Sequence, residues 1–546
     1  MFHMIETQMK TLRGLISLVS IAAVTAGAVA RQVLQNPPPN PGTTATKPSA
    51  PESNVVVPVH ASGFEITLKV PAVEEGFKAT RALLILSKVA EKVKEPRFSL
   101  QDWNSPPQVF GADWNAVDGK MVVTESWNGS PKKLADLEPG EYWVQAVVRR
   151  NLDGCFPGGN EGDAFSESIA VRFDPKAEGK ATLEVSKLHV EPQMPTSARA
   201  KLFAHKSELL SKFYGRDVAQ QAGVFMPKDF AKNPDMTYPV VLFIGGFGST
   251  HYSLGNMARS FPADFLANVI FIVPDPSTYY GHSVFADSEN NGPRGQALVE
   301  ELLPAIEKEY RGKGASHRYV TGISSGGWSS LWLQITYPDQ FAGCWSFCPD
   351  PVDFRDFQQI DLYAKDANMY TDATGARRPL ARRGDVPSLW YDDFVKMESA
   401  IGASGQIGAF EAVFSAKGKD GKPVPLFDRS TGTVDPTVAK SWEKYDIRMM
   451  LENNWSELSK KLPGKLHIYA GGKDTFYLDG SARLLKTSLK SLASDAVVEV
   501  VPGLIHTIYK PGITGMVRDI SLREGFVSEL SKPKAEPVTA PAPETK

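Results

Sequence analysis

The segment Gly322-Ile323-Ser324-Ser325-Gly326 constrains this chain more than any other, because of what flanks it. His317 to Thr321 reads as a short strand. From Gly327 onward, Trp328, Leu331, Trp332 and Ile335 carry the spacing of a buried helix, which Pro338 ends. A strand that turns into a helix this abruptly needs small residues on both sides of the serine, since a side chain at either glycine would strike the adjoining strand or helix. The turn lifts Oγ out of the sheet and aims a helix N-terminus at it. Among 45 glycines in 546 residues the pentapeptide alone means little. The strand before it, the helix after it and suitable partners downstream make Ser324 a candidate nucleophile.

A chain this long predicts two domains. Its net charge of −2 gives no reason to expect nucleic acid or an anionic membrane as partner. Lys10 and Arg13 precede an apolar run from Leu15 to Ala26 and then Ala28-Val29-Ala30, the pattern of a signal peptide over residues 1–30 with Arg31 as the mature start. Met9 is the more natural initiator. The expected location is therefore secreted or periplasmic, with no transmembrane segment beyond the signal peptide. Residues 31–55 read as a Pro-rich linker and 532–546 as a disordered tail.

Residues 56–190 show short alternating strands. They are Phe64 to Val70, Ala82 to Leu86, Tyr142 to Val148, Ile169 to Phe173 and Ala181 to Val185, with Pro/Gly turns between them. This predicts a small all-β sandwich of immunoglobulin-like type, suited to carbohydrate binding or to docking on its neighbour. Residues 191–531 alternate strand and helix. Strands are expected at Ala222 to Met226, Pro239 to Ile244, Val269 to Pro274, around Cys344, at Leu466 to Ala470 and at Val497 to Val501. A helix follows Gly292-Pro293 with Leu298, Leu302, Ile306 and Tyr310 on one face. That order is the grammar of an α/β protein with a mostly parallel sheet and flanking helices. An insertion at about 350–450 reads as a cap over the site or a partly ordered excursion.

A serine hydroxyl needs a base to take its proton and a carboxyl to orient that base. Asp474 follows the strand Leu466 to Ala470 across Gly471-Gly472-Lys473, at a strand's carboxyl end. Asp479 competes but lies farther from the strand, and Asp474 could instead cap the helix beginning there. His506 alone among nine histidines follows the last expected strand and lies downstream of Asp474. Gly245-Gly246-Phe247-Gly248, directly after Ile244, can offer backbone N–H groups to an oxyanion, from Gly246 or Phe247, together with that of Ser325. His251, Tyr279, Tyr280, His282 and Trp328 are candidate substrate contacts. Asn290 and Asn291 more naturally cap the following helix. Cys344 and Cys348, four apart in a strand, would sit about 13 Å from each other, beyond disulfide reach. No metal-ligand spacing of Cys and His is apparent.

With these residues assembled, positions 195 to 530 resemble the putative-esterase branch (esterase D and feruloyl esterase-like) of the α/β-hydrolase superfamily. The resemblance rests on Gly245-Gly246-Phe247-Gly248, on Glu301-Leu302-Leu303-Pro304-Ala305-Ile306-Glu307, on Gly322 to Gly327, and on Asp474 and His506 at the expected places. The branch includes feruloyl and acetylxylan esterases, S-formylglutathione hydrolase, enterochelin esterases and mycolyltransferases. The resemblance implies hydrolysis of a carboxylic ester through an acyl-enzyme, without metal or organic cofactor, on a small-molecule, carbohydrate or lipid ester. It leaves open acyl transfer by the same residues, and a glycan-binding protein on an inactive hydrolase fold is a further reading. The insertion exceeds what compact members carry, and Phe247 stands where the oxyanion loop often has a small residue.

Overall fold

The computed structural model describes residues 58–70, 78–103, 105–191, 197–528 and 530. The expected signal peptide, the linker and the 532–546 tail lie outside these residues.

Ten strands between Val59 and Leu188 join into one hydrogen-bonded sheet. Its hub is Gly140–Arg149, which pairs along one edge with Arg81–Lys88. Its other edge is shared, with Ile169–Phe173 beside the first half and Ala164–Ser166 beside the second. One ten-residue strand therefore serves both halves of the expected sandwich and makes them continuous. Alternation sorts the side chains. Phe64, Ile66, Leu84, Phe110 and Val144 fill the inner core, whereas Leu83, Ile85, Val109 and Val147 face outward yet are equally buried.

What covers that outer face is the second domain. Its sheet comprises β1 (Ala200–Lys206), β2 (Ala219–Phe225), β3 (Val240–Ile244), β4 (Ile270–Pro274), β5 (Arg318–Ile323), β6 (Gly343–Phe347), β7 (Leu466–Gly471) and β8 (Val497–Val501). They lie in the order β1-β2-β4-β3-β5-β6-β7-β8. β1 and β2 run antiparallel and β2 opposes β4, while every pairing from β4 to β8 is parallel. This is the α/β-hydrolase sheet expected from the sequence. The central strands are buried on both faces, so they read as unbroken apolar runs. Val240, Leu242 and Ile244 point into one layer with Val320 and Trp328, and Val241 and Phe243 into the other with Phe271 and Trp345. β1 escaped the sequence reading because it is an edge strand with most of its side chains at least partly exposed.

The helical run after Pro293 buries Leu298, Leu302 and Ile306 as expected, but widens to a π turn over Leu298–Leu302. Pro304 explains the widening, since it has no N–H to donate and its ring would crowd the carbonyl one α-turn back.

The 350–450 insertion is ordered. A hairpin (Pro379–Arg383 with Val386–Trp390) leads into two helices, Tyr391–Ile401 and Gln406–Phe414. Phe354, Phe357, Phe410, Phe414 and Trp442 make an aromatic core continuous with that of the sheet. The first of these helices also carries the β domain. Ala400 and Ile401 pack on Leu83 and Val147, and the Arg81 guanidinium donates to the carbonyls of Ser399 (2.7 Å) and Ala400 (2.8 Å) at that helix's end. Arg149, fully buried, donates to the carbonyls of Ala403, Gly154 and Tyr279.

Candidate active site

Ser324 lies between the end of β5 and α1 (Ser325–Thr336) at φ 59° and ψ −126°, a conformation that non-glycine residues rarely adopt. Its surroundings impose it. Ser324 N–H donates to the Phe347 carbonyl at 3.0 Å, and its own carbonyl accepts from Trp328 N–H at 3.0 Å and from Asp350 N–H at 3.2 Å. The flanking glycines are sterically required, because a Cβ at Gly322 would lie 2.4 Å from the Gly326 oxygen and one at Gly326 would lie 2.0 Å from the Ile244 oxygen.

The loop after β3 lies against the nucleophile, where a Cβ at Gly246 would come within 3.1 Å of Ser324 Cβ. His282 holds this loop from behind. Its Nε2–H donates to the Gly245 carbonyl at 3.1 Å and its Nδ1 accepts from Val284 N–H at 2.9 Å. Burial pushes its pKa down to about 4, so the ring is neutral and its tautomer is fixed by these two partners. Ser325 begins α1, where a first-turn N–H has no acceptor within the helix.

Asp474 and His506 meet across two loops stitched by backbone. Gly472 N–H donates to the Val501 carbonyl at 2.7 Å and Lys473 N–H to that of Leu504 at 2.8 Å. His506 Nδ1–H donates to Asp474 Oδ2 at 2.8 Å, while Asp474 Oδ1 accepts from Phe476 N–H at 2.8 Å. Burial pulls the imidazole pKa down, but the Asp474 charge and hydrogen bond, with Cys348 alongside, outweigh it and hold His506 well above the ordinary histidine value. The insertion braces this acid, since Arg382 donates to the Asp474 carbonyl at 2.8 Å and to Asp479 at 2.9 Å. Asp479, the competing carboxyl, is thus taken up by arginines.

Gly246, Phe247, Ser324, Phe476 and His506 line one cavity of about 70 Å³. Three residues that sequence reasoning missed also line it, namely Asp350, Gln358 and Gln406, and so does Trp103 from the β domain. Asp350 matters most. It follows the carboxyl end of β6, accepts Ser325 Oγ–H at 2.6 Å and takes the Ser324 hydroxyl at 3.3 Å. Burial pushes its carboxyl up to about 6. Ser324 Oγ is therefore hydrogen-bonded to Asp350 in this structure, not to His506. An acid at a strand's carboxyl end was the available signal.

The five proposed substrate contacts do not line this cavity. His251 is buried with Nδ1 against Asp275. His282 serves the loop as described. Tyr280 stands edge-on to Tyr279, whose other neighbour is the Arg149 guanidinium. Trp328 is 1% exposed and packs on Phe414, because the helix turns it into the sheet-facing core. Their aromatic and polar character suggested these residues, and helix phase and buried partners decided otherwise.

All three cysteines are buried, and Cys344 and Cys348 are free thiols. Cys348 Sγ and ligand-type atoms of Asp474 and His506 lie within 4.8 Å of one another. Three separate loops bring them together, so linear spacing could not show it. Among the described residues they form the group able to approach a cation, although the Asp–His hydrogen bond already occupies two of them.

Residues 219–401 match the model of the putative-esterase family. The matched stretch runs from β2 to the end of helix Tyr391–Ile401, so the likeness to that family spans β2 to β6 of the α/β sheet and the start of the insertion. Asp474 and His506 lie beyond the match, so the structure alone joins them to Ser324's cavity. Among solved structures, the chain is similar to a ferulic acid esterase (13% identity, 59% of this chain and 97% of that one, TM-score 0.37). It is also similar to an S-formylglutathione hydrolase from Agrobacterium tumefaciens (15%, 60% and 93%, 0.34). A third likeness is to a fluorophosphonate-binding serine hydrolase from Staphylococcus aureus (14%, 59% and 97%, 0.36). No curated protein matches the chain. Among the described residues, no helix is long and apolar enough to cross a membrane.

Proposed function

We propose that the protein is an exported serine esterase, secreted or periplasmic, that hydrolyses a carboxylic ester through an acyl-enzyme on Ser324. The observation that carries this reading is the convergence of a strained serine and a carboxyl-paired imidazole on one cavity beside the Gly246–Phe247 loop. Ser324 Oγ attacks the carbonyl carbon while His506 Nε2 takes its proton, so the hydroxyl must turn from Asp350 to the imidazole as substrate binds. Asp474 keeps Nδ1 protonated and Nε2 free to accept. Backbone N–H groups of Ser325 and of Gly246 or Phe247 receive the oxyanion. His506 then protonates the departing alkoxide, and water repeats the sequence to release the acid.

With p-nitrophenyl acetate, a burst of p-nitrophenol equal to the enzyme concentration is expected, with an added 42 Da (about the mass of one acetyl group) on the peptide containing Ser324. Steady turnover with acetate on no peptide, or on a different residue, would reject the acyl-enzyme. The pH dependence is a separate check. The base must be unprotonated, so a raised His506 pKa moves the acid limb of kcat/KM upward, and its inflection is expected above the ordinary histidine value of about 6.5. An inflection below 6 would show that Asp474 does not charge-stabilise the imidazolium.

A further inference from the structure

A second cavity, of about 100 Å³, lies where the two domains and the insertion meet. The β domain contributes Phe98, Leu100, Trp103 and Phe156, the catalytic domain Phe247 and Ser253, and the insertion Phe394, Met397 and Ile401. Trp103, Phe247 and Gln406 line both this space and the cavity of Ser324. The lining that the two cavities share is mainly aromatic. Phe476 stands edge-on to His506 at 5.0 Å, and Trp103 lies 6.1 Å from Phe476, 5.8 Å from Phe247 and 4.9 Å from Phe394.

The charged groups at this second cavity are turned to other work. Arg97 donates to the Gly158 carbonyl and its guanidinium lies over Phe98 and Phe165. Glu398 accepts from the N–H groups of Ile407 and Gly408 at 2.9 and 3.3 Å, and burial pushes its carboxyl up to about 7. What remains facing the space is mainly ring and alkyl surface. Such a space gains most from an apolar occupant. Its volume is somewhat below that of an engineered apolar cavity of about 150 Å³ that binds benzene.

Resting on the esterase reading above, we propose that this interdomain cavity holds the apolar arm of the ester, a phenyl-sized or short alkyl group reaching past Trp103 from the carbonyl at Ser324. The β domain is thereby one wall of the substrate site, and the protein selects apolar esters over acetate. The arm belongs to the acid or to the alcohol, and paired substrates separate the two.

The test compares kcat/KM for p-nitrophenyl 3-phenylpropanoate against p-nitrophenyl acetate, and for 2-phenylethyl acetate against ethyl acetate. One of these ratios is expected to exceed about tenfold in the wild type. Ser253→Phe, which fills the cavity from the catalytic domain, and Phe98→Ala, which removes its wall in the β domain, should each lower that same ratio about tenfold and several-fold respectively. Calorimetry on Ser324→Ala with methyl 3-phenylpropanoate or 2-phenylethyl acetate should show binding that the added Ser253→Phe change abolishes. Ratios near one in the wild type, or ratios and binding unmoved by both variants, would overturn the proposal. Binding without hydrolysis of any ester would instead sink the esterase reading and leave the cavity assignment standing.

Discussion

Alanine at position 324 is expected to cut kcat for p-nitrophenyl acetate by about a million-fold, the scale on which losing the nucleophile of a Ser-His-Asp set acts. The substitution removes one oxygen. It deletes no backbone contact, since the bonds that hold residue 324 in its strained conformation run through its N–H and carbonyl. Folding should therefore be preserved, with an unchanged denaturation midpoint and an unchanged near-UV spectrum. Labelling by a fluorophosphonate probe should vanish with the activity. A variant that folds normally and retains more than about a tenth of wild-type turnover would move the nucleophile elsewhere and end the proposed mechanism.

Asparagine at position 474 is expected to cost about ten-thousandfold in kcat with little change in KM. Asp474 accepts both the His506 Nδ1–H and the Phe476 N–H. An amide can keep the second bond, but if its NH₂ turns to the ring it donates to Nδ1 and drives the proton to Nε2. The imidazole then presents a hydrogen where Ser324 needs a lone pair. Losing the negative charge also removes what holds the His506 pKa up, so the acid limb of the residual activity should move down in pH. Asp350 cannot stand in, because its oxygens are engaged with Ser324 and Ser325. Activity within tenfold of wild type, or a limb that does not move, would show that another carboxyl orients the base.

The residues legible in the sequence share a physical property, which is that local sterics or continuous burial dictate them. Val240 to Ile244 are apolar at every position because both faces of a central strand are covered, and Gly322 and Gly326 are glycine because a carbonyl oxygen occupies the place of each Cβ. Asp474 and His506 were reachable because each follows a parallel strand whose carboxyl end faces the site. The residues that escaped depend on distant packing. Trp103 reaches the cavity only because Arg81 and Leu83 seat the β domain on the helix Tyr391–Ile401, some 300 positions later in the chain. Asp350 is placed by the turn after Cys348, where a buried carboxyl reads like any loop acid. Trp328 and His251 misled for the converse reason, because their chemistry suits a ligand whereas their orientation serves the interior.

The grip of Arg382 on the loop carrying Asp474 has a consequence for anyone wishing to simplify this scaffold. A hundred-residue excursion invites deletion as ornament, yet one of its side chains sets where the acid of the proposed triad stands. Trimming it away would unmoor Asp474 and, through their hydrogen bond, loosen His506 as well.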